Sequence, residues 1–521
     1  MRAPCDTLIP RAAAEAPCLK KAEPWILAGT ILASSMAFID STVVNVALPA
    51  LQAYFRATIV DLQWVVESYG LFLAALILIG GSLGDAFGRR LIFIEGVAMF
   101  ALASAVCGMA SNLNELIVAR SIQGIGAALL VPGSLAIIST SFDQQSRGRA
   151  IGTWSGFTAI TTALGPVLGG WLVGHASWRW VFFINLPIAA VVIAISFWRI
   201  PESRSGSKGH MDWGGATLAT LGLGGIVNGF LALSNPGWSH PLVFTSLGAG
   251  LGFLLGFWVV EACTRFPIVP LQLFRNPSFS GANLLTLFLY AAIGIFFFLF
   301  PLNLIQVQHY SPTKTGAAIL PLILLMFLLS RWSGGLVARF GARIPLVVGP
   351  LVTAAGFILA ALPSVANDYR TSFFPALLVM GLGMAITVAP LTTVVMNSVG
   401  EDKVGAASGI NNAVARVAGV LAIAALGIVM VYAFRVHLNH AMAHFSLSPS
   451  TVRDLQSNEN KLAGLQAPAG LNSHTREILD ALIRESFVFG FRVVVLVCAG
   501  LSLISAAIAW ITIPRVRNRT N

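Results

Sequence analysis

Apolar positions along this chain fall in long unbroken runs, not in the ten-residue alternating segments of barrel strands. Runs of about 18 residues or more recur over its whole length, and each predicts a membrane-spanning helix. Expected spans lie near 25–48, 60–83, 91–110, 115–139, 151–174 and 178–199. After the polar break "RIPESRSGSKGHMD", two more lie near 213–233 and 242–261. A second break, "CTRFPIVPLQLFRNPS", precedes six near 279–305, 315–337, 344–362, 372–396, 404–432 and 486–511. Lipid admits only helices or closed barrels, because an unpaired backbone group there costs several kcal/mol. The expected fold class is therefore an all-α polytopic membrane protein with fourteen spans and both termini on one side.

The grouping of spans is six, two, six. It predicts a polar tail at 1–24, an N-terminal six-helix bundle at 25–200 and a linker with two extra spans at 201–278. A C-terminal six-helix bundle follows at 279–511, with a long external loop at 433–485 and a tail at 512–521. An internal echo supports the repeat: "GGSLGDAFGRR" (80–90) follows the second span, and "SGGLVARFGAR" (333–343) follows the second of the last six. Repeated bundles are how secondary transporters are built.

Composition agrees: 56% of residues are hydrophobic and 10% charged, against roughly 25% charged in a soluble domain. A net charge of +11 taken alone points to a nucleic-acid partner, but its placement excludes that reading. Lys and Arg number nineteen in the segments on the N-terminal side and four in the short loops opposite. The positive-inside rule then places both termini in the cytoplasm. Residues 1–24 lack an apolar core and read as a cytoplasmic tail, not a cleaved signal. The five cysteines show no metal or disulfide spacing. His437, His440 and His444 share a helix face in the external loop, which reads as a solvated face ahead of a zinc site. No Walker A sequence and no HExxH motif occurs, so neither an ATPase nor a zinc enzyme is indicated; no cofactor is expected.

Two acids interrupt apolar spans. Asp40, in "FIDSTVVNVALP", sits about two thirds of the way along the first. A charge at the bilayer centre costs about 2.5–3.5 kcal/mol on insertion scales, so such a residue faces a cavity or a partner. Burial in general opposes the charged form of a carboxyl, which suits proton uptake and release. The bland alternative is a local hydrogen-bond network with Ser41, Thr42 and Asn45. Glu67, in "QWVVESYGL", is the second; it either flanks the same cavity or snorkels to water at the outer interface. Arg120 is the only Arg deep in the fourth span, while Glu95 in the third reads as a surface or loop partner. "GIFFFLF" (294–300) is a candidate apolar cavity wall, and lipid-facing packing explains it equally well.

Five motifs in order carry a family resemblance. "GSLGDAFGRR" resembles the loop signature of the major facilitator superfamily, with Asp85, Arg89 and Arg90 in place and Ala86 where a basic residue is usual. "RSIQGIGAA" (120–128) resembles its helix-four signature, and "GTWSGFTAITTALGPVLGG" (152–170) its helix-five antiporter signature, with Thr161 where a glycine is usual. "DSTVVNVALP" (40–49) and "WRWVFFINLPI" (178–188) are similar to the fourteen-helix drug:proton antiporter branch. The resemblance implies two six-helix bundles plus two extra central helices in a bacterial inner membrane. It implies proton-coupled export of amphipathic or cationic compounds, with small molecules, protons and membrane lipid as partners. Asp40, Glu67 and Arg120 would serve coupling or substrate, the arginine by polarising a nearby acid. Asp85, Arg89 and Arg90 would latch a cytoplasmic gate, and Gly165, Pro166, Gly169 and Gly170 would form a hinge. Alternatives are export of one dedicated metabolite and, more remotely, a channel or a sensor. An adaptor or outer-membrane partner for the external loop stays open.

Overall fold

Hydrocarbon requires every backbone N–H and C=O to be paired within the chain, and a helix does this residue by residue. The structure, a computed structural model, describes residues 17–514 apart from 143, 205–211, 234–239, 265–266, 268, 366–367, 400–403, 444, 446–447 and 468–471; some side chains within helices, that of Asp85 among them, also lie outside the described set. The described elements are all helical. They run α1 Pro17–Phe55, α2 Ile59–Phe87, α3 Arg89–Met109, α4 Leu113–Ser141, α5 Gln144–His175, α6 Trp180–Phe183, α7 Asn185–Arg199, α8 Trp213–Leu233 and α9 His240–Cys263. There follow α10 Pro277–Leu302, α11 Pro312–Ala318, α12 Leu320–Gly334, α13 Leu336–Phe340, α14 Arg343–Ala361, α15 Phe373–Asn397, α16 Val404–Met442, α17 Pro449–Ser457 and α18 Ser473–Thr512. Thirteen described segments are long and apolar enough to cross a bilayer. The remaining expected span, 151–174, lies within the 32 residues of α5.

Helix starts follow local chemistry. Asn276, Ser311 and Ser448 each accept a backbone N–H of the first turn, and each is followed by proline at the first helical position. Asn472 caps α18 through Thr475 N at 2.7 Å, which starts that helix thirteen residues before the expected 486. α16 likewise continues to Met442, past the expected 432. Both ends of the 433–485 segment are therefore continuous with the flanking helices, and its non-helical part is confined to the stretch between Met442 and Ser473. Between them Glu459, buried, takes Arg435 Nε at 2.5 Å and Asn439 Nδ2 at 3.2 Å. His437 packs its ring on Phe489, with Nδ1 3.0 Å from Ser486 Oγ; His444 lies outside the described residues.

The two sequence echoes share a turn. Gly88 and Gly341 both take positive φ, 123° and 72°. Each donates its N–H to the carbonyl four residues back, Gly84 at 3.0 Å and Val337 at 2.9 Å. A side chain would strain that conformation, and a glycine there lets one helix stop and the next begin within two residues.

By internal packing the chain divides into two units, residues 1–44, 65–224 and 252–270, and residues 45–64, 225–251 and 271–521. The division passes through α1, α2, α8 and α9 as well as the expected linker: α1 has 39 residues, about 58 Å, so its two ends have different neighbours. In the first unit α3 packs along α4 and α7. In the second, α10 packs on α16 and α18, and α14 on α15 and α18. The core of the second unit is built from the "GIFFFLF" run. Phe296, Phe298 and Phe300 are at most 1% exposed, with Phe296 stacked on Phe300 at 4.9 Å and edge-on to Phe357 at 5.7 Å. These rings are core packing and not a lipid face.

Candidate functional site

Asp40 lies in the middle of α1, fully buried. Its partners come from two other helices of the first unit. Oδ2 pairs with Nη1 of Arg120 on α4. Oδ1 accepts Gln123 Nε2 at 2.8 Å and Asn185 Nδ2 at 3.4 Å. Gln123, one turn beyond Arg120, bonds both members of the pair, since its Oε1 also accepts Arg120 Nη1 at 2.7 Å. Ser104 Oγ on α3 accepts from Gln123 at 3.2 Å and Asn185 at 2.9 Å, and donates to the Phe182 carbonyl at 2.9 Å. Arg120 Nε donates to the Val65 carbonyl at 3.2 Å, and the guanidinium lies 4.4 Å from the Tyr69 ring centre.

All five polar side chains are at most 1% exposed. An ion pair removed from water is tolerated only when its remaining hydrogen-bonding capacity is filled, and here α2, α4 and α7 fill it, with Ser104 of α3 holding Gln123 and Asn185 in place. The local alternative is not what the structure holds for Ser41 and Thr42. Their hydroxyls turn back to the Phe38 carbonyl at 2.8 and 3.1 Å, the usual habit of helical Ser and Thr. A proton placed on Asp40 would cancel one charge, turn an acceptor into a donor and leave Arg120 unpaired.

Glu67 is also fully buried, yet neither carboxyl oxygen has a hydrogen-bond partner among the described residues, so it does not reach water by snorkelling. The Asp40 network does not include it. Tyr69 faces Arg120, and two residues along a helix turn a side chain by about 200°, which directs Glu67 elsewhere.

The small face of α5 packs on the stretch of α1 that carries Asp40. A Cβ on Gly165 would lie 3.2 Å from the Ile39 carbonyl oxygen and overlap Thr42, and one on Gly169 would lie 3.0 Å from the Val43 carbonyl and overlap its side chain. Only glycine allows this approach. Pro166 and Gly170 are buried beside them. Of the four expected hinge residues, Gly165 and Gly169 thus border the acid's own helix.

The loop arginines meet a residue that sequence reasoning did not single out. Glu202, past the end of α7, accepts the backbone N–H of Arg90 at 3.1 Å and of Leu91 at 3.2 Å, and lies 3.8 Å from Arg90 Nε. Arg90 Nη1 also donates to the Ile200 carbonyl at 3.1 Å, and Arg89 N to the Ser203 carbonyl at 3.0 Å. A carboxylate at a helix N-terminus meets both unpaired amides and the positive end of the dipole. These contacts stay within the first unit; the side chain of Asp85, the third gate candidate, lies outside the described residues. Ser104 and Asn185 were also missed. Asn185, polar within "VFFINLPIAA", carried a usable signal; Ser104 carried none.

Comparison with known proteins gives a consistent result. The profile of the Major Facilitator Superfamily matches residues 30–423. The chain is 32% identical over 499 residues to a tetracenomycin C resistance and export protein of Streptomyces glaucescens, covering 94% of this chain and 92% of that one. It is 31% identical over 503 residues to the multidrug resistance protein Stp of Mycobacterium tuberculosis (strain CDC 1551 / Oshkosh), with the same coverage. Its fold is similar to a bacterial homologue of the human lysosomal transporter Spinster in an inward-facing conformation, with a TM-score of 0.64, 17% identity, and coverage of 94% of this chain and 98% of that one.

Proposed function

The chain belongs to the Major Facilitator Superfamily, and on that premise we propose that it is a proton-coupled antiporter exporting amphipathic, often cationic, compounds across the bacterial cytoplasmic membrane. The observation that carries this reading is the buried Asp40–Arg120 pair, tied through Gln123 to Ser104 on α3 and through Asn185 to α7. A transporter that exchanges a proton for cargo needs an acid whose two protonation states favour different helix arrangements. Asp40 meets that need: protonated, it releases Arg120; ionised, it holds it. The small face of α5 on α1 gives the pair a close-packed partner through which such a change is felt. Glu67 is a second proton or cation site in this scheme. It is a buried acid with no hydrogen-bond partner among the described residues to commit it. The skew of Lys and Arg supports both termini in the cytoplasm. A membrane potential of 100 mV supplies about 2.3 kcal/mol per charge, near fiftyfold in concentration.

Everted membrane vesicles test this reading. Cargo uptake should follow an imposed pH gradient, cargo addition should release protons, and both should vanish in Asp40→Asn. Uptake that survives collapse of the gradient would overturn it. A second reading, a dedicated exporter of one metabolite, is favoured by the similarity to a tetracenomycin C resistance and export protein. A resistance panel separates the two: many unrelated compounds, or one.

A further inference from the structure

Away from the Asp40 network, α3 and α4 leave between them a groove of about 850 Å³, within the usual range of small-molecule sites. Its floor is Ala103 and Ala119, both buried, and its walls are Leu102, Val118 and Ile122, which are 70%, 60% and 42% exposed. Small residues underneath and large ones beside them make a trough along the helix pair, open on the apolar surface that meets lipid.

One acid stands at each end. Glu115 is committed to the start of α4, where its carboxylate accepts Ser111 N at 2.8 Å and Asn112 Nδ2 at 2.7 Å. Glu95 is exposed, lines the groove, and has no hydrogen bond or ion pair among the described residues. It lies six residues into α3, about 9 Å along the axis from Arg89, and the wall continues for about 17 Å to Val106. A carboxylate at that depth, facing hydrocarbon, is stabilised by a counter-charge arriving from the membrane. Neutral acyl chains satisfy the walls and leave the acid as it was. A molecule with one ammonium group and one alkyl chain satisfies both.

We propose that the groove between α3 and α4 is a membrane-facing binding site for single-chain lipophilic ammonium ions, with the head group against Glu95 and the chain along Leu102, Val118 and Ile122. The site is separate from Asp40 and does not rest on the export reading. Its test is binding without a gradient, so either can fail alone.

The full-length protein, purified into phosphatidylcholine nanodiscs, is photolabelled with a diazirine-bearing hexadecyltrimethylammonium. The matched uncharged hexadecanol is the control, and labels are mapped by mass spectrometry. In wild type the cation labels α3 and α4 more strongly than the alcohol does. Glu95→Gln, a same-shape change at an exposed position, lowers cation labelling there roughly fivefold, the ratio that about 1 kcal/mol of ion pairing produces. The same variant leaves alcohol labelling unchanged. Val118→Trp, which narrows the trough from its exposed wall, lowers both. Equal cation labelling in wild type and Glu95→Gln overturns the proposal, as does alcohol labelling as strong as the cation's. Loss of cation labelling when phosphatidylethanolamine replaces part of the phosphatidylcholine also overturns it, assigning the groove to a lipid amine instead.

Discussion

Replacing Asp40 by Asn removes one charge and keeps the shape. The amide oxygen can still accept Gln123 and Asn185, which meet Oδ1 at 2.8 and 3.4 Å. The amide nitrogen then faces Arg120 Nη1, donor against donor, in a site where Arg120 is 1% exposed. Breaking a buried pair while leaving one charge costs about 3–5 kcal/mol, a large share of the roughly 5–15 kcal/mol by which proteins are stable. The variant should therefore melt well below wild type and lose pH-driven transport. Adding Arg120→Gln removes the stranded charge and should recover most of the melting temperature, with an interaction energy of about 0.5–3 kcal/mol in the double-mutant cycle. Transport coupled to the gradient should stay absent, because the titrating acid is still missing. Thermal melts of purified protein and uptake in everted vesicles read the two effects separately. If the double variant regains gradient-driven uptake, Asp40 is a structural residue only; if Asp40→Asn melts like wild type, the pair does not hold these helices.

Three further outcomes follow from other parts of the first unit. Glu67→Met should raise the melting temperature, because an unpartnered buried carboxyl is replaced by an apolar chain of similar length, and should abolish proton release on cargo addition. Gly169→Ala should cost about 1–3 kcal/mol by overpacking against Val43 and slow transport; an unchanged rate with normal melting would show that α5 does not depend on this approach. Glu202→Ala removes the carboxylate from the start of α3 and the pairing with Arg90, for a loss of about 0.5–2 kcal/mol, measured by thermal melts; Glu202→Asp should recover part of it.

Much of this protein was written locally. Hydropathy marked the spans because the bilayer acts on each stretch of about 20 residues independently. Asn276, Ser311, Ser448 and Asn472 began helices where their side chains met the next amides. Gly88 and Gly341 turned the chain where an echo in the letters had marked both. Asp40 and Arg120 announced themselves as charges in apolar runs. What they bond to was decided by helix rotation and packing, which no local pattern contains. Arg120 is 80 residues from its acid and Asn185 is 145; Glu202 reaches the start of α3 from 112 residues away. Only the assembled helices could direct Tyr69 to the guanidinium and Glu67 away from it, lay the glycine face of α5 on α1, and leave Glu95 at the end of an open groove. Hydrophobic free energy selects which segments leave water, and it is indifferent to direction around the helix axis; close packing and the pairing of buried charge supply that direction.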